Sequence, residues 1–154
     1  MVDIVEKTKR SQMMSGIKGK NTKPEIIIRK ELFKIGFRYK INDPGLPGKP
    51  DLVFPKYKAV IFINGCFWHR HNCHLFKWPS SNVEFWHKKI NKTVEKDKEN
   101  IQRLTLSGWR VLEIWECSIK GKTKLCLNEI IDQTVNWIKT GKVYDVIQGK
   151  KEGQ

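Results

Sequence analysis

The 154-residue chain is poor in acidic residues: 16 Asp and Glu stand against 30 Lys and Arg, a formal net charge of +14. With a pI near 9.7 the excess persists at any cellular pH, so the expected partner is a polyanion. Long hydrophobic runs are also missing. No stretch reaches the roughly 18 apolar residues that a membrane span requires. "MVDIVEKTKRSQMM" carries no apolar core of the secretory kind, so a cytoplasmic protein with no membrane association is expected. Internal repeats and low-complexity tracts are absent, and the length suits one domain around one core. Cysteine is scarce: Cys66, Cys73, Cys117 and Cys126 are the full set. A reducing compartment argues against a disulfide framework and moves metal binding ahead of it.

Tryptophan, in contrast, is plentiful, with six in the chain. Trp is costly to expose, and beside basic patches it offers planes on which bases stack or between which they are parted. The competing reading of the charge is a solubilising lysine surface.

The pattern along the chain predicts alternating helices and strands. A basic arm over 1–21 has few apolar anchors, with a short helix around "QMMSGI". "TKPEIIIRKELFKIG" then has Thr22 as N-cap, Glu25 completing a capping box, Pro24 in the first turn and Gly36 at the end, predicting a helix over 23–35. "FRYKI" alternates like a strand, and the prolines and glycines of "NDPGLPGKP" exclude regular structure. "DLVF" and "KAVIFI" read as strands joined by a tight turn at Pro55–Tyr57, the second apolar on both faces and so central. A long charged helix is predicted from an N-cap at Asn82 to Ser107, then a buried strand at "WRVLEIWE". A closing helix presents Leu127, Ile131, Val135 and Ile138 on one stripe. The expected organisation is the arm, a domain over 22–147 and a disordered tail over 148–154, with a mixed sheet flanked by helices in an α/β or α+β domain.

"INGCFWHRHNC", residues 63–73, begins where the central strand ends, a place where sheets present chemistry. Cys66, His71 and Cys73 are close enough to supply three ligands from one loop, and Cys117, ending another strand, could supply the fourth. Thiolates with an imidazole suit Zn²⁺, and a closed Cys₃His set would be structural. The spacing is not that of a standard finger, so free buried cysteines remain the alternative, with His74 a competing ligand. Cys126, in an apolar helical stretch, reads as a small core residue.

Asp51 begins a strand directly after Pro50, an arrangement in which one hard carboxylate can bind Mg²⁺ with carbonyls, waters and phosphate oxygens. Nucleases of the restriction-endonuclease fold hold their metal this way. Their usual second half, an acidic residue and a lysine two apart on the next strand, is missing from "KAVIFINGC". Either the nuclease reading fails or another residue handles the proton. His69 is the candidate, since imidazole takes a proton near neutral pH, although a lone histidine is more often structural. Asp97, within the charged helix, reads as solvated surface in preference to the alternative, an acid standing behind the catalytic residues.

Three long stretches in order, "SQMMSGIKGKNTKPE", "GFRYKINDPGLPGKPDLVFPKYKAVIFINGCFWH" and "SNVEFWHKKINKTVEKDKENIQRLTLSGWRVLEIWEC", resemble the very-short-patch mismatch repair endonucleases of bacteria, over roughly residues 8–120. The resemblance implies a restriction-endonuclease-like, PD-(D/E)XK-type α/β fold with a structural zinc. It implies an enzyme that nicks the thymine strand on the 5′ side of a T·G mismatch formed by deamination of 5-methylcytosine. Asp51 would bind catalytic Mg²⁺ with the main-chain carbonyl of Ile63, Glu25 would support the hydrated metal, and His69 would activate water. Cys66, His71, Cys73 and Cys117 would hold Zn²⁺. Phe67, Trp68 and Trp86 would form an aromatic wedge, with Met14 entering from the other groove. The resemblance further implies a monomer acting on double-stranded DNA at the bacterial nucleoid, linked to a cytosine-5 DNA methyltransferase and a repair polymerase. Position 64 departs from the pattern: it is Asn, where many members have an acidic residue or histidine. Two other readings stay open, a restriction-like nuclease cutting both strands of paired DNA and a zinc-containing module that binds nucleic acid without catalysis.

Overall fold

Thr22 opens the first helix as its sequence predicts. Its hydroxyl accepts from the Glu25 N–H at 3.5 Å, Pro24 occupies the first turn, and α1 spans Lys23–Lys34. The computed structural model describes residues 22–151, so the expected arm over 1–21, Met14 within it and the last three residues lie outside the described residues. Ile28 and Leu32, one turn apart, are fully buried, and Gly36 follows the helix at φ 105°, a conformation that costs glycine little.

The strand expected over 37–41 is reduced to β1, Lys40–Ile41, because Phe37 and Tyr39 turn inward and meet the Phe54 ring edge-on. The loop through Pro50 leads to β2, Leu52–Phe54, and a single 3₁₀ turn at Pro55–Tyr57 returns the chain into β3, Ala59–Asn64. Helix α2 covers Val83–Leu106, β4 Arg110–Trp115, α3 Leu127–Thr140 and β5 Tyr144–Ile147.

The strands form one mixed sheet in the order β1-β2-β3-β4-β5. The first three run antiparallel; β4 and β5 run parallel to β3. Period-two alternation divides the core between the two faces. Leu52, Phe54, Ile61, Leu112 and Ile114 pack with Ile28 and Leu32 of α1 and with Ile130 and Ile138 of α3. Val53, Val60 and Val111 pack on the other side with Leu104 of α2. Central β3 is therefore apolar on both faces, as its sequence predicts, and its carboxyl end lies beside that of β4.

Three details differ from the sequence reading. Asn82 precedes α2 at φ 51° with no side-chain capping bond; asparagine tolerates the left-handed region that this turn requires. Cys126 is exposed at the N-cap of α3 and not in the core. The sequence gives no sign of β5, since its four residues follow α3 after only three others and its outer end is exposed. Not all of the positive charge faces outward to a partner. The Arg110 guanidinium donates to the carbonyls of Trp137 and Ile138 at the end of α3 and to that of Tyr57, fastening that helix to the sheet. No helix among the described residues is long and apolar enough to cross a membrane.

Candidate active site and metal centre

Pro50 ends the loop at a point where β2 pairing has not begun, so Asp51 enters the sheet with its carboxylate free for other partners. Its Oδ2 accepts from the Ile63 N–H at 2.6 Å. Its carboxyl group also shares a hydrogen bond with that of Glu25, which comes from α1 on the other side of the loop. Both are buried, Glu25 at 2% exposure and Asp51 at 9%. Burial first, and the neighbouring Glu25 charge second, push the Asp51 pKa well above the usual carboxylate range; the Ile63 N–H and the Arg29 charge pull back. Two buried carboxyl groups in contact are unfavourable as a pair of anions. An all-oxygen set of this kind suits a hard divalent cation, which neutralises both. β3 offers no acidic side chain here, and the carboxyl group beside Asp51 comes from α1. Glu25 bonds the Thr22 hydroxyl at 3.3 Å as well, so one side chain serves the helix start and the site.

Beyond β3 the chain makes tight turns: the His69 N–H donates to the Gly65 carbonyl and the His71 N–H to the Cys66 carbonyl. These turns carry His69 to α2, where its Nδ1 lies 2.5 Å from Asp97 Oδ2. A carboxylate accepts, so Nδ1 is the donor of this bond and Nε2 is the ring nitrogen left for other partners. Asp97, read from the sequence as solvated surface, instead orients a histidine. The charged run around it hides this, because nothing local distinguishes Asp97 from the Lys and Glu beside it.

Asn64 has a definite place. Its amide donates to Glu113 Oε2 at 2.7 Å, and the Tyr144 hydroxyl donates to Glu113 Oε1 at 2.5 Å. Burial pushes the Glu113 carboxyl up, and the two donors pull it back. Tyr144, itself partly buried against that carboxylate, is held protonated. The trio links the last residue of β3, the interior of β4 and the first residue of β5.

The ligand atoms of Cys66, His71, Cys73 and Cys117 all lie within 4.8 Å of one another. His71 Nδ1 is 3.6 Å from the sulfurs of both Cys66 and Cys117. The hydrogen bond from the Cys66 thiol, followed by His71, pulls the Cys117 thiol down to about 4, and the Cys66 thiol, as donor, is pushed up. Three sulfurs and one imidazole nitrogen in a closed, largely buried group fit a borderline-soft tetrahedral ion. His74 is not a member of the group. Two distinct donor sets thus flank this part of the chain, the soft one at Cys66, His71, Cys73 and Cys117 and the hard one at Asp51 and Glu25, bonded to Ile63.

Phe67, Trp68 and Trp86 form a triangle with ring centroids 5.2 to 5.8 Å apart. The cluster continues through Phe76, Trp78 and Phe85; "LFKWPSSN" has no helical or strand period to mark the first two, and Phe85 lies in the first turn of the charged helix. Phe85 and Trp78 are exposed, and the Lys89 ammonium lies over the Trp68 and Phe85 rings. An apolar platform with cations at its edge is a surface on which nucleobases stack.

Residues 2–75 match the family model described as DNA mismatch endonuclease Vsr. The chain is 42% identical over 138 residues to DNA mismatch endonuclease Vsr of Escherichia coli strain K12, covering 90% of this chain and 88% of that protein. It is 46% identical over 139 residues to the type II nicking enzyme V.NmeAIP of Neisseria meningitidis, covering 90% and 98%. It is 36% identical over 134 residues to the nicking enzyme V.XorIIP of Xanthomonas oryzae pv. oryzae, covering 86% and 98%.

Proposed function

The chain belongs to the Vsr family of DNA mismatch endonucleases, and from that premise we propose that it nicks the thymine strand on the 5′ side of a T·G mismatch by Mg²⁺-assisted hydrolysis. It is a DNA mismatch endonuclease of the nicking type; the mismatch, the metal and the residue roles are the proposal. The observation that carries them is the convergence at one end of β3, where Asp51 bonds Ile63 and the next turn delivers a histidine held by Asp97.

Asp51, Glu25 and the main-chain carbonyl of Ile63 would hold Mg²⁺. When bound, the ion supplies positive charge for the phosphate group as negative charge builds on it. His69 Nε2 takes the proton of the attacking water. Asp97 keeps the imidazole in the tautomer that leaves Nε2 basic, and its charge stabilises the imidazolium that results. Breaking the bond to the 3′ oxygen leaves a 3′-hydroxyl and a 5′-phosphate, ends suited to a repair polymerase. Phe67, Trp68 and Trp86, with Met14 of the arm, part the stack beside the mismatch. Unstacking costs a few kcal/mol per step and least where pairing is already poor, which favours a mismatch over paired duplex.

The Cys/His group would hold Zn²⁺ and tie the loop after β3 to the end of β4. In this reading the mixed sheet is a restriction-endonuclease-like, PD-(D/E)XK-type core, and the domain over 22–147 works as a monomer with the arm over 1–21 on DNA. The bacterial relatives support a cytoplasmic, nucleoid-bound site of action, alongside a cytosine-5 methyltransferase whose product deaminates to thymine.

The test is a labelled hairpin duplex with one T·G pair, incubated with Mg²⁺. A single nick 5′ of the thymine is expected, and none in the paired control. Scission of both strands of the control would mark a restriction-like nuclease instead. In the same assay His69→Ala should slow cleavage by about 10²- to 10⁴-fold. Asp97→Asn, which keeps the shape and loses the charge, should slow it by about tenfold or more while leaving KM unchanged. Wild-type rates for Asp97→Asn would remove Asp97 from the mechanism.

A further inference from the structure

The backbone after β5 does not leave the sheet; it runs across the Cys/His group. Gln148 Oε1 accepts from His71 Nε2 at 2.9 Å, the Gly149 N–H donates to Cys117 Sγ at 3.3 Å, and the Lys150 N–H donates to the Thr123 carbonyl at 2.8 Å. Thr123 in turn donates its hydroxyl to the Cys117 carbonyl at 3.1 Å. Gly149 is fitted so closely that a Cβ there would lie 2.5 Å from the Cys117 carbonyl oxygen and from Thr123 Oγ1. Only glycine brings the N–H near enough to the sulfur. The disordered tail expected from 148 therefore begins with three residues held by specific bonds.

Two of these bonds fall on members of the cluster and act on what each must do as a ligand. Imidazole binds a metal through one nitrogen only if the other carries the proton, and that proton needs an acceptor. His71 Nδ1 faces the two sulfurs, and Nε2 faces the Gln148 amide oxygen. The His71 ring is further fixed by stacking on Trp115, with centroids 4.2 Å apart. At Cys117, an N–H directed at sulfur favours the thiolate, the form that binds metal.

We infer that Gln148 and Gly149 are positioning residues of the metal centre, the first orienting the His71 ring by accepting from Nε2 and the second fixing the Cys117 sulfur by donating to it, so that the last strand and its extension keep the ion in place. This rests on the reading of the cluster as a metal site. Its consequence is that the carboxyl-terminal segment governs how long the loop bearing Phe67, Trp68 and His69 stays folded.

The experiment uses the full chain loaded with one equivalent of Zn²⁺ and follows transfer of the metal to a coloured chelator. Gln148→Ala and Gly149→Ala are expected to lose metal about 10- to 100-fold faster than the wild type. Gln148→Glu, which keeps an acceptor for the His71 proton, should hold it nearly as well as the wild type. Loading with Co²⁺ gives a second readout, a thiolate charge-transfer band expected in every variant at saturation. Wild-type release rates in Gln148→Ala overturn the inference, and a Gln148→Glu variant as leaky as Gln148→Ala overturns the hydrogen-bond account in favour of packing. A wild-type protein that takes up neither ion, with no thiolate band, instead overturns the metal reading itself.

Discussion

Asp51→Asn is expected to abolish nicking and, in the same protein, to raise the melting temperature of the metal-free form. The substitution keeps the shape and leaves an oxygen to accept from the Ile63 N–H at the 2.6 Å separation now held by Asp51. What it removes is a charge that burial and the adjacent Glu25 both oppose. A carboxyl group whose folded pKa is raised contributes stability below its ordinary pKa, and that contribution is lost as pH rises through the folded value. At neutral pH the metal-free wild type is therefore strained at this pair, and the variant is not. Relief of a buried, poorly compensated charge is worth about 1–2 kcal/mol, or ~2–8 °C in a domain of this size. Mg²⁺ should reverse the order, raising the melting temperature of the wild type and leaving that of Asp51→Asn unmoved. Loss of the several kcal/mol that a bound cation gives to phosphate chemistry corresponds to a fall of about 10³-fold or more in rate. Thermal melts with and without Mg²⁺, beside the hairpin assay, decide the matter. A variant that cleaves within tenfold of the wild type, or that melts lower without metal, would show that the Asp51–Glu25 pair is not a cation site.

That pair also shows where sequence reading reaches its limit. Thr22, Pro24 and Glu25 mark the start of α1 because capping is local chemistry, and the apolar run of β3 marks a central strand because burial on both faces leaves no room for alternation. That the same Glu25 stands beside Asp51 is implied by the family resemblance and not by local pattern, since their contact depends on how α1 packs over the loop before β2. Asp97 was misread for a related reason: its role is set by a turn that brings His69 to it from another part of the chain. The place of Asn64 is not legible in sequence because its partner, Glu113, sits on a later strand and is itself bonded by Tyr144 of a strand the pattern does not reveal. The cysteines were more legible. Three donors within one short loop constrain each other strongly, and the fourth lies in the 3₁₀ turn just after the strand that pairs in parallel with the one before the loop. Cys126 was misplaced because an apolar neighbourhood in sequence was taken for the interior, whereas it sits at a helix start facing water.

Removing the metal from the Cys/His group should have the largest effect of any single treatment, and it should be local. In small zinc modules the ion contributes about 10–16 kcal/mol and the apo chain is unfolded. Here the sheet has its own core on both faces, so β3, β4 and the three helices should survive. The segment from Cys66 to Cys73 has no such core. It is held by its turns, by the Glu116 carboxylate accepting from the Cys66 N–H at 3.1 Å, by the His69–Asp97 bond, by ring contacts with Trp86 and Trp115, and by the cluster itself, which alone joins its two cysteines. Stripping the ion with a strong chelator, or substituting Cys117→Ser, should leave the far-ultraviolet dichroism close to that of the wild type and abolish nicking, because Phe67, Trp68 and His69 lose their positions together. Tryptophan emission should shift to the red as Trp68 and Trp115 gain access to water. Cys126→Ser, at an exposed position outside the cluster, should change neither signal. Restoring Zn²⁺ should restore cleavage, since the scaffold never unfolded. A chelated protein that still nicks at the wild-type rate would mean that the cluster does not hold the loop. The aromatic platform and the histidine would then owe their positions to Asp97 and the packing of α2 alone.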